Sequence, residues 1–120
     1  MPERNLDRIR ELLLEAEGIP VDPEEDFYSG FVDLMDQVSA GDAYQLLLMR
    51  DAGFIEGKDA NLGLFRVTNS GHDFLDSVRD DKVWSKTKRQ LTKVGGSAAL
   101  DVVKATAVNI VTEIIAIGGS

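Results

Sequence analysis

The sequence has 120 residues, of which 43% are hydrophobic and 28% are charged, and it contains no cysteine. This composition is typical of one soluble globular domain and excludes disordered and fibrous chains. The absence of cysteine excludes disulfide frameworks, thiolate metal sites and thiol nucleophiles.

Thirteen basic and 21 acidic residues give a formal net charge of −8, which argues against a protein that binds by neutralising nucleic acid phosphates. The charge is uneven along the chain. Residues 1–40 carry three basic and 11 acidic side chains, residues 41–81 carry four and eight, and residues 82–120 carry six and two. The sequence therefore combines an acidic body with a basic C-terminal region.

No basic, apolar signal region opens the sequence, so we expect a cytoplasmic protein. The most apolar segment, residues 98–117, is interrupted by Asp101, Lys104, Asn109 and Glu113. Because charged groups are costly in a bilayer, no membrane span is predicted.

The first half of the chain has apolar residues at helical spacing in three places. They predict a first helix that closes at Gly18 and Pro20, a short second helix over residues 31–38, and a third helix from Asp42 to Ala52 that ends at Gly53. The residues that carry these patterns are Leu6, Ile9, Leu12, Leu13 and Ala16, then Phe31, Leu34, Met35 and Val38, then Ala43, Leu46, Leu47 and Met49.

Two short β-prone runs follow, residues 54–58 and 64–68, joined by five residues of loop composition. Three helices followed by a hairpin is the order of elements in a winged helix. We therefore expect a mostly α-helical fold with a small β-hairpin, in which residues 1–80 form a winged helix-turn-helix-like domain.

Residues 81–120 are predicted to form a C-terminal helical extension. A helix before it is opened by Ser70 and Asp73 at capping-box spacing, and two more helices are predicted over residues 82–94 and 97–117. The predicted inward residues are Phe74, Leu75 and Val78, then Val83, Thr87, Leu91 and Val94 with Trp84 at the edge, then Ala99, Leu100, Val103, Ala107, Ile110, Val111, Ile114 and Ile117.

Val102, Val108 and Ile115 fall outside the inward arc of the last helix, which is therefore more apolar than a helix on one core requires. We interpret this excess as a second packing surface, and most simply as a homodimer contact.

The one histidine, His72, shares a helix stripe with Asp76 and Asp80, a spacing that could hold a divalent ion or seat a general base. A first-turn helix position with dipole and ion-pair roles explains these residues better, because all three would come from one helix. No nucleophile elbow, phosphate loop or dinucleotide fingerprint is present. We expect no catalytic residue, metal or cofactor, and hence a protein that is not an enzyme.

In a winged helix the third helix is the one presented to DNA. Its candidate base contacts here are Gln45 and Arg50, and the hairpin adds Lys58 and Arg66. Neighbouring aspartates make this a weak electropositive surface, so duplex binding is expected to be weak.

The best-organised basic feature lies elsewhere in the chain. Lys82, Lys86, Arg89 and Lys93 are spaced by four, three and four residues, which places them on one stripe of the penultimate helix. The stripe is either a contact for a phosphate backbone or an acidic partner surface, or an ordinary solvated helix face.

Three segments resemble a family of small uncharacterised bacterial and phage proteins. They are LDRIRELLLE from Leu6, LLMRDAGFIEG from Leu47, and GHDFLD from Gly71 followed by VWSKTK from Val83. The resemblance covers roughly residues 5 to 105. It implies a winged-helix-like fold in prokaryotic, often prophage-linked proteins of unknown function, and it supplies no catalytic residues.

Two hypotheses follow. The first is a non-enzymatic winged-helix adaptor that binds a protein partner and forms a homodimer through its last helix. The alternative is a DNA-binding transcriptional regulator of bacterial or prophage genes.

Overall fold

A computed structural model describes residues 3–20, 24, 29–94 and 100–118, which form five helices and three strands. Two 3-10 turns, Met35–Gln37 and Ala60–Leu62, connect some of them. The elements in chain order are α1 (Leu6–Glu17), β1 (Phe31–Asp33), α2 (Ala40–Asp51), β2 (Ile55–Glu56), β3 (Leu64–Val67), α3 (Asn69–Val78), α4 (Asp81–Val94) and α5 (Leu100–Gly118).

The chain divides into two compact units, Met1–Asp73 and Phe74–Ser120, with the division inside α3. We refer to them as the N-terminal and C-terminal units. The N-terminal unit contains α1, α2 and the sheet. The C-terminal unit contains the end of α3 together with α4 and α5.

The predicted first helix is confirmed. The side chain of Asn5 caps α1 by accepting a hydrogen bond from the backbone N–H of Arg8 at 3.0 Å. The helix ends at Gly18, whose N–H donates to the carbonyl of Leu14. One face is buried, as the spacing of its apolar residues predicts, through Ile9, Leu12, Leu13 and Ala16.

The third predicted helix is also present, but α2 begins two residues earlier than expected. Ser39 accepts a hydrogen bond from the N–H of Asp42, and the carboxylate of Asp42 accepts one from the N–H of Ser39. This reciprocal capping box starts the helix at Ala40. Leu46 and Met49 are buried as predicted, whereas Ala43 and Leu47 are half-buried.

The prediction of a second helix over residues 31–38 is wrong. Phe31–Asp33 forms β1, and exposure alternates from Phe31 to Leu34 as in a strand with one buried face. Pairing with β3, which sets Val32 opposite Phe65, overrides the helical spacing of the apolar residues. Only the turn Met35–Gln37 is helical in this segment.

The predicted hairpin is confirmed as β2 and β3, and β1 adds a third strand to give the antiparallel order β1-β3-β2. We call β2, residues 57–63 and β3 the wing. The buried face of the sheet carries Val32, Ile55 and Phe65. The outer face carries a row across all three strands, because Phe31 lies opposite Arg66 and Arg66 lies opposite Glu56.

The predicted capping box of Ser70 and Asp73 is wrong, because α3 begins at Asn69 and Thr68 caps it. The Thr68 hydroxyl oxygen accepts a hydrogen bond from the N–H of Gly71 at 3.1 Å and donates its own proton to the carbonyl of Gly53. Thr68 thereby ties the start of α3 to the end of α2, which a capping pattern read along one helix does not reveal.

In the C-terminal unit α4 packs against α5. Asp80 caps α4 by accepting hydrogen bonds from the N–H groups of Lys82 and Val83 at 2.8 and 3.0 Å. The predicted inward residues are buried where the structure describes them: Phe74, Leu75 and Val78 on α3, Val83, Thr87 and Leu91 on α4, and Leu100, Val103, Ala107 and Ile110 on α5.

Three details of the C-terminal prediction change. Trp84 is buried and not at the edge of the α4 face, Val111 is half-buried, and Ile114 is exposed. The side chains of Val94, Ala99 and Ile117 lie outside the described residues, as does the segment 95–99. Among the helices as described, none combines the length and the apolar content needed to cross a bilayer.

Gly71 provides a test of the packing at the start of α3. A Cβ at Gly71 would lie 2.1 Å from the carbonyl oxygen of Phe54 and 2.9 Å from Cγ1 of Val67. A glycine in a helix normally costs about 1 kcal/mol relative to alanine. We predict that Gly71→Ala nevertheless destabilises the protein by about 2 kcal/mol or more, because the added methyl group would push α3 away from Phe54 and from Val67 of β3.

Gly41→Ala in α2 is the matched control, since the nearest atom to its Cβ would be Oγ of Ser39 at 3.8 Å. It should be neutral or stabilise by about 0.5–1 kcal/mol. Urea unfolding of both variants measures the difference, and equal effects would contradict the close approach at Gly71.

Candidate interaction surfaces

An ion pair between Arg8 and Asp42 joins α1 to α2. Nε of Arg8 lies 2.8 Å from Oδ1 of Asp42, and Nη2 lies 3.0 Å from Oδ2, which makes a two-pronged contact. The Arg8 side chain is 21% exposed and the Asp42 side chain 12%. Arg8 also pairs with Glu11 and Glu15 on its own helix.

The ion pair changes the titration of both groups. The hydrogen bonds from Arg8 lower the pKa of the Asp42 carboxyl from 3.8 to about 2, although burial acts in the opposite direction. The same contact raises the pKa of the Arg8 guanidinium. Asp42 therefore stays ionised over the physiological range and is already matched by a cation within the fold.

Gln45, a candidate base contact, lies inside the N-terminal unit. Its side chain is buried, Oε1 accepts from the N–H of Asn5 at 2.7 Å, and Nε2 donates to the carbonyl of Glu3 at 2.9 Å. Both ends of the amide hold the entry to α1 in place. In the structure, the Gln45 amide is therefore engaged within the fold.

Arg50 is directed to the wing. Its Nη1 donates to the carbonyl oxygens of Gly57 at 3.2 Å and Lys58 at 3.4 Å, which links the end of α2 to the hairpin. The guanidinium thus hydrogen-bonds to the first two backbone carbonyls of the loop in the wing, and Arg50 is the one cation in the sequence of α2.

The other two candidate contacts, Arg66 and Lys58, differ in whether an ion pair engages them. Nε of Arg66 lies 2.7 Å from Oε1 of Glu56 on the outer face of the sheet. This hydrogen bond raises the pKa of Arg66 and lowers that of Glu56. Lys58 is exposed. Of these two cations, Lys58 alone forms no ion pair within the described residues.

The four cations of the α4 stripe, Lys82, Lys86, Arg89 and Lys93, are all exposed. None of them forms an ion pair within the described part of the chain. Lys88, between them in sequence, lies instead over the ring of buried Trp84 with its Nζ 5.7 Å from the ring centroid. The stripe is the strongest unneutralised charge feature of the described residues.

The α5 stripe, defined by Val102, Val108 and Ile115, is exposed to 49%, 44% and 68%. Val108 and Ile115 are seven residues apart and lie nearly in line along the helix. The hydroxyls of Thr106 and Thr112 donate to the carbonyls of Val102 and Val108. Val102, six residues before Val108, lies about 120° around the helix from it, so of the three only Val108 and Ile115 share a face.

His72, Asp76 and Asp80 have separate surroundings. His72 is exposed, Asp76 pairs with Arg79 at 3.0 Å, and Asp80 caps α4. Nowhere in the described ranges do three His, Asp or Glu side chains gather as a metal site requires.

A cleft of about 510 Å³ opens in the N-terminal unit, and sequence reasoning did not find it. Both apolar and polar side chains line it, among them Arg66 of β3 and His72 of α3. The lining residues are Ala16, Glu17, Ile19, Ser29, Gly30, Val32, Arg66, Val67, Asn69 and His72. These residues come from four separate segments, so no local motif marks them.

Comparison with known proteins places the chain in a family. Residues 3–98 match the family described as "Hypothetical protein (DUF2513)", and the chain belongs to that family. An "Uncharacterized protein" of Haemophilus influenzae is 28% identical over 120 residues, covering 95% of this chain and 99% of that protein. No solved structure matches the chain. Neither description assigns an activity.

The Arg8 and Asp42 pair predicts a pH dependence of stability. Because the folded pKa of Asp42 lies below its ordinary value, its contribution is complete above pH 3.8 and is lost as the pH falls toward about 2. We predict that Asp42→Asn lowers the free energy of unfolding at neutral pH by on the order of 1–2 kcal/mol.

The difference between the wild type and Asp42→Asn should shrink across that acid window. Asp51→Asn, at an exposed carboxylate at the end of the same helix, is the control and should change stability by less than about 0.5 kcal/mol. Denaturant unfolding at several pH values measures both. A deficit of Asp42→Asn that is constant from neutral pH to pH 2 would contradict the ion pair.

Proposed function

We propose that the chain is a winged-helix-like, non-enzymatic adaptor that self-associates through the α5 stripe and presents the α4 stripe to an acidic protein partner. The winged-helix interpretation is supported by the order α1, β1, a 3-10 turn, α2 and the wing, and by the strand order β1-β3-β2. The 3-10 turn Met35–Gln37 stands where a winged helix has its second helix.

The observation that carries the proposal is the internal use of the polar side chains of α2. Asp42 is matched by Arg8, Gln45 is buried, and Arg50 donates to wing carbonyls. A helix that reads bases must offer side chains that are free to reach the groove, and one that holds phosphates must offer cations. These contacts favour a structural role for α2 over a DNA-reading role.

Self-association is supported by the α5 stripe. Burying an exposed valine or isoleucine is worth about 1–2 kcal/mol, so Val108 and Ile115 on their shared face supply part of a dimer contact. The basic α4 stripe then remains available, and its four cations suit a surface rich in carboxylates.

The α5 stripe yields a prediction about oligomeric state. Val108→Asp and Ile115→Asp should each convert the dimer to a monomer in light scattering, because a carboxylate in an apolar contact loses its hydration without a partner. Glu113→Gln, a change of charge on the same helix, should leave the dimer intact. A wild type that is monomeric at high concentration would contradict self-association.

The alternative is a DNA-binding regulator of bacterial or prophage genes, and the observation in its favour is the α4 stripe with exposed Lys58. The two functions predict different binding. The adaptor should bind a polyglutamate peptide at low salt and lose it in Lys86→Glu/Arg89→Glu, with no sequence preference toward DNA duplexes. A regulator should bind one operator far more tightly than random duplex, with affinity falling steeply with salt.

Fluorescence anisotropy with labelled peptide and duplex measures both. Arg50→Ala and Arg66→Ala separate the surfaces further, since a regulator that used α2 and the wing would lose affinity in these variants. Tight, sequence-selective duplex binding that depends on Arg50 would contradict the adaptor proposal.

A further inference from the structure

The cleft of the N-terminal unit has the size and the mixed lining of a small-molecule site. Its volume of about 510 Å³ falls within the range of roughly 300–1,000 Å³ that is usual for ligand pockets. The described lining combines apolar side chains with polar ones. The apolar residues are Ala16, Ile19, Val32 and Val67, and the polar residues are Glu17, Ser29, Arg66, Asn69 and His72.

Two contacts restrict the side chain of Arg66 in this lining. A Cβ at Gly30 would lie 2.8 Å from Cγ and 2.9 Å from Cδ of Arg66, so the aliphatic stem lies against the Gly30 backbone. Gly30 has a φ of 87°, which favours glycine at this close approach. Beyond the stem, Nε of Arg66 donates to Oε1 of Glu56 at 2.7 Å. The side chain is therefore positioned before any ligand binds, which lowers the entropic cost of binding.

The guanidinium keeps most of its hydrogen-bond donors. It carries five N–H groups, and the contact with Glu56 uses the one on Nε. In the part of the chain that the structure describes, the Arg66 side chain makes no second hydrogen bond. The N–H groups on Nη1 and Nη2 remain for a ligand, and together they match the two oxygens of a carboxylate.

The start of α3 adds further polar groups to the cleft. Asn69 and His72 are three residues apart, so their side chains are neighbours on the helix surface. The hydroxyl of Thr68 caps the helix, which leaves both side chains free of that role. Neither makes a side-chain hydrogen bond or ion pair with another described residue. Ser29 Oγ accepts from the N–H of Phe31 at 3.3 Å and keeps its own proton to donate.

The charges around Arg66 indicate the class of ligand. Donors are the larger share of the polar groups, so a ligand with acceptor oxygens fits. Glu17 is the one carboxylate in the described lining, and Glu56 already pairs with Arg66. A dianionic phosphate would therefore meet two carboxylates and one guanidinium, which a singly charged carboxylate tolerates better. The apolar side chains of the lining suit a hydrocarbon group.

We propose that this cleft binds a small organic monocarboxylate. The Nη groups of Arg66 receive the carboxylate, Asn69 and His72 supply further hydrogen bonds, and the apolar side chains contact the hydrocarbon part. The site belongs to the N-terminal unit, whereas the α4 and α5 stripes belong to the C-terminal unit. The inference therefore does not rest on the proposed adaptor function.

Benzoate is the probe for this site, because it joins one carboxylate to a flat apolar ring. It is titrated into the nitrogen-15-labelled full-length chain, and the amide chemical shifts are followed by NMR. The shifts should concentrate at Gly30, Val67 and His72 and give a dissociation constant of about 1 mM, as expected for a ligand with so few atoms.

Two variants with the same change of charge test the role of Arg66. Arg66→Met keeps an unbranched stem against Gly30 and should raise the dissociation constant about ten-fold or more, because the two Nη groups are lost. Lys58→Met removes an exposed cation of the wing and should change it by less than about two-fold. Asn69→Ala, at an exposed position, should weaken binding about three-fold and serves if the spectrum of Arg66→Met shows misfolding.

The remaining outcomes overturn the proposal. Benzamide has the shape of benzoate without its charge, so equal binding of the two would exclude carboxylate recognition. An absence of shifts at the cleft amides at about 20 mM benzoate would exclude the site. Inorganic phosphate that shifts these amides at lower concentration than benzoate would contradict the monocarboxylate class. Equal weakening in Lys58→Met and Arg66→Met would reduce the effect to overall charge.

Discussion

The N-terminal unit depends on the largely buried carboxylate of Asp42, which needs a cationic partner. Asp42 completes the capping box in which Ser39 is the N-cap of α2, and the low exposure of Asp42 would be costly for a charge without a partner. Arg8 supplies that partner from α1 through two hydrogen bonds. One side chain therefore defines the start of one helix and holds it against another, and the geometry of α2 follows from it.

Two further polar side chains of α2, Gln45 and Arg50, also make contacts within the N-terminal unit. Gln45 secures the residues that lead into α1, and Arg50 secures the hairpin. These contacts use the groups that a DNA-reading helix would extend into a groove. Under the proposed function, the surfaces that contact partners are the α4 stripe and the α5 stripe, both on helices that follow the hairpin in sequence.

Local signals predicted much of this structure. Helical spacing gave α1, α2, α4 and α5, and the hairpin followed from β-prone runs with glycines between them. The wrong predictions have a common cause, because in each case a tertiary contact determines the local structure. Residues 31–38 have helical spacing but pair with β3, and Thr68 caps α3 because it also binds Gly53. Exposed cations of α4 were predictable from spacing alone.

The candidate site was less predictable, because its contacts join distant parts of the sequence. Arg8 and Asp42 are 34 residues apart, and Gln45 and Asn5 are 40 apart. A polar residue on α2 looks equally suited to bind DNA or to bind α1 until the fold is known. The spacing of Ser39 and Asp42 was a local signal of the capping box, with aspartate in place of the usual glutamate.

If polar contacts hold α2 against α1, the side chains of Arg8 and Asp42 must stabilise the fold together, and a double-mutant cycle on Arg8→Ala and Asp42→Ala tests this most directly. Free energies of unfolding of the wild type, both single variants and the double variant give the coupling between the two side chains. The structure predicts a coupling of about 2 kcal/mol at neutral pH. A coupling near zero would contradict it, because the two side chains would then contribute independently and α2 would be free to serve another surface.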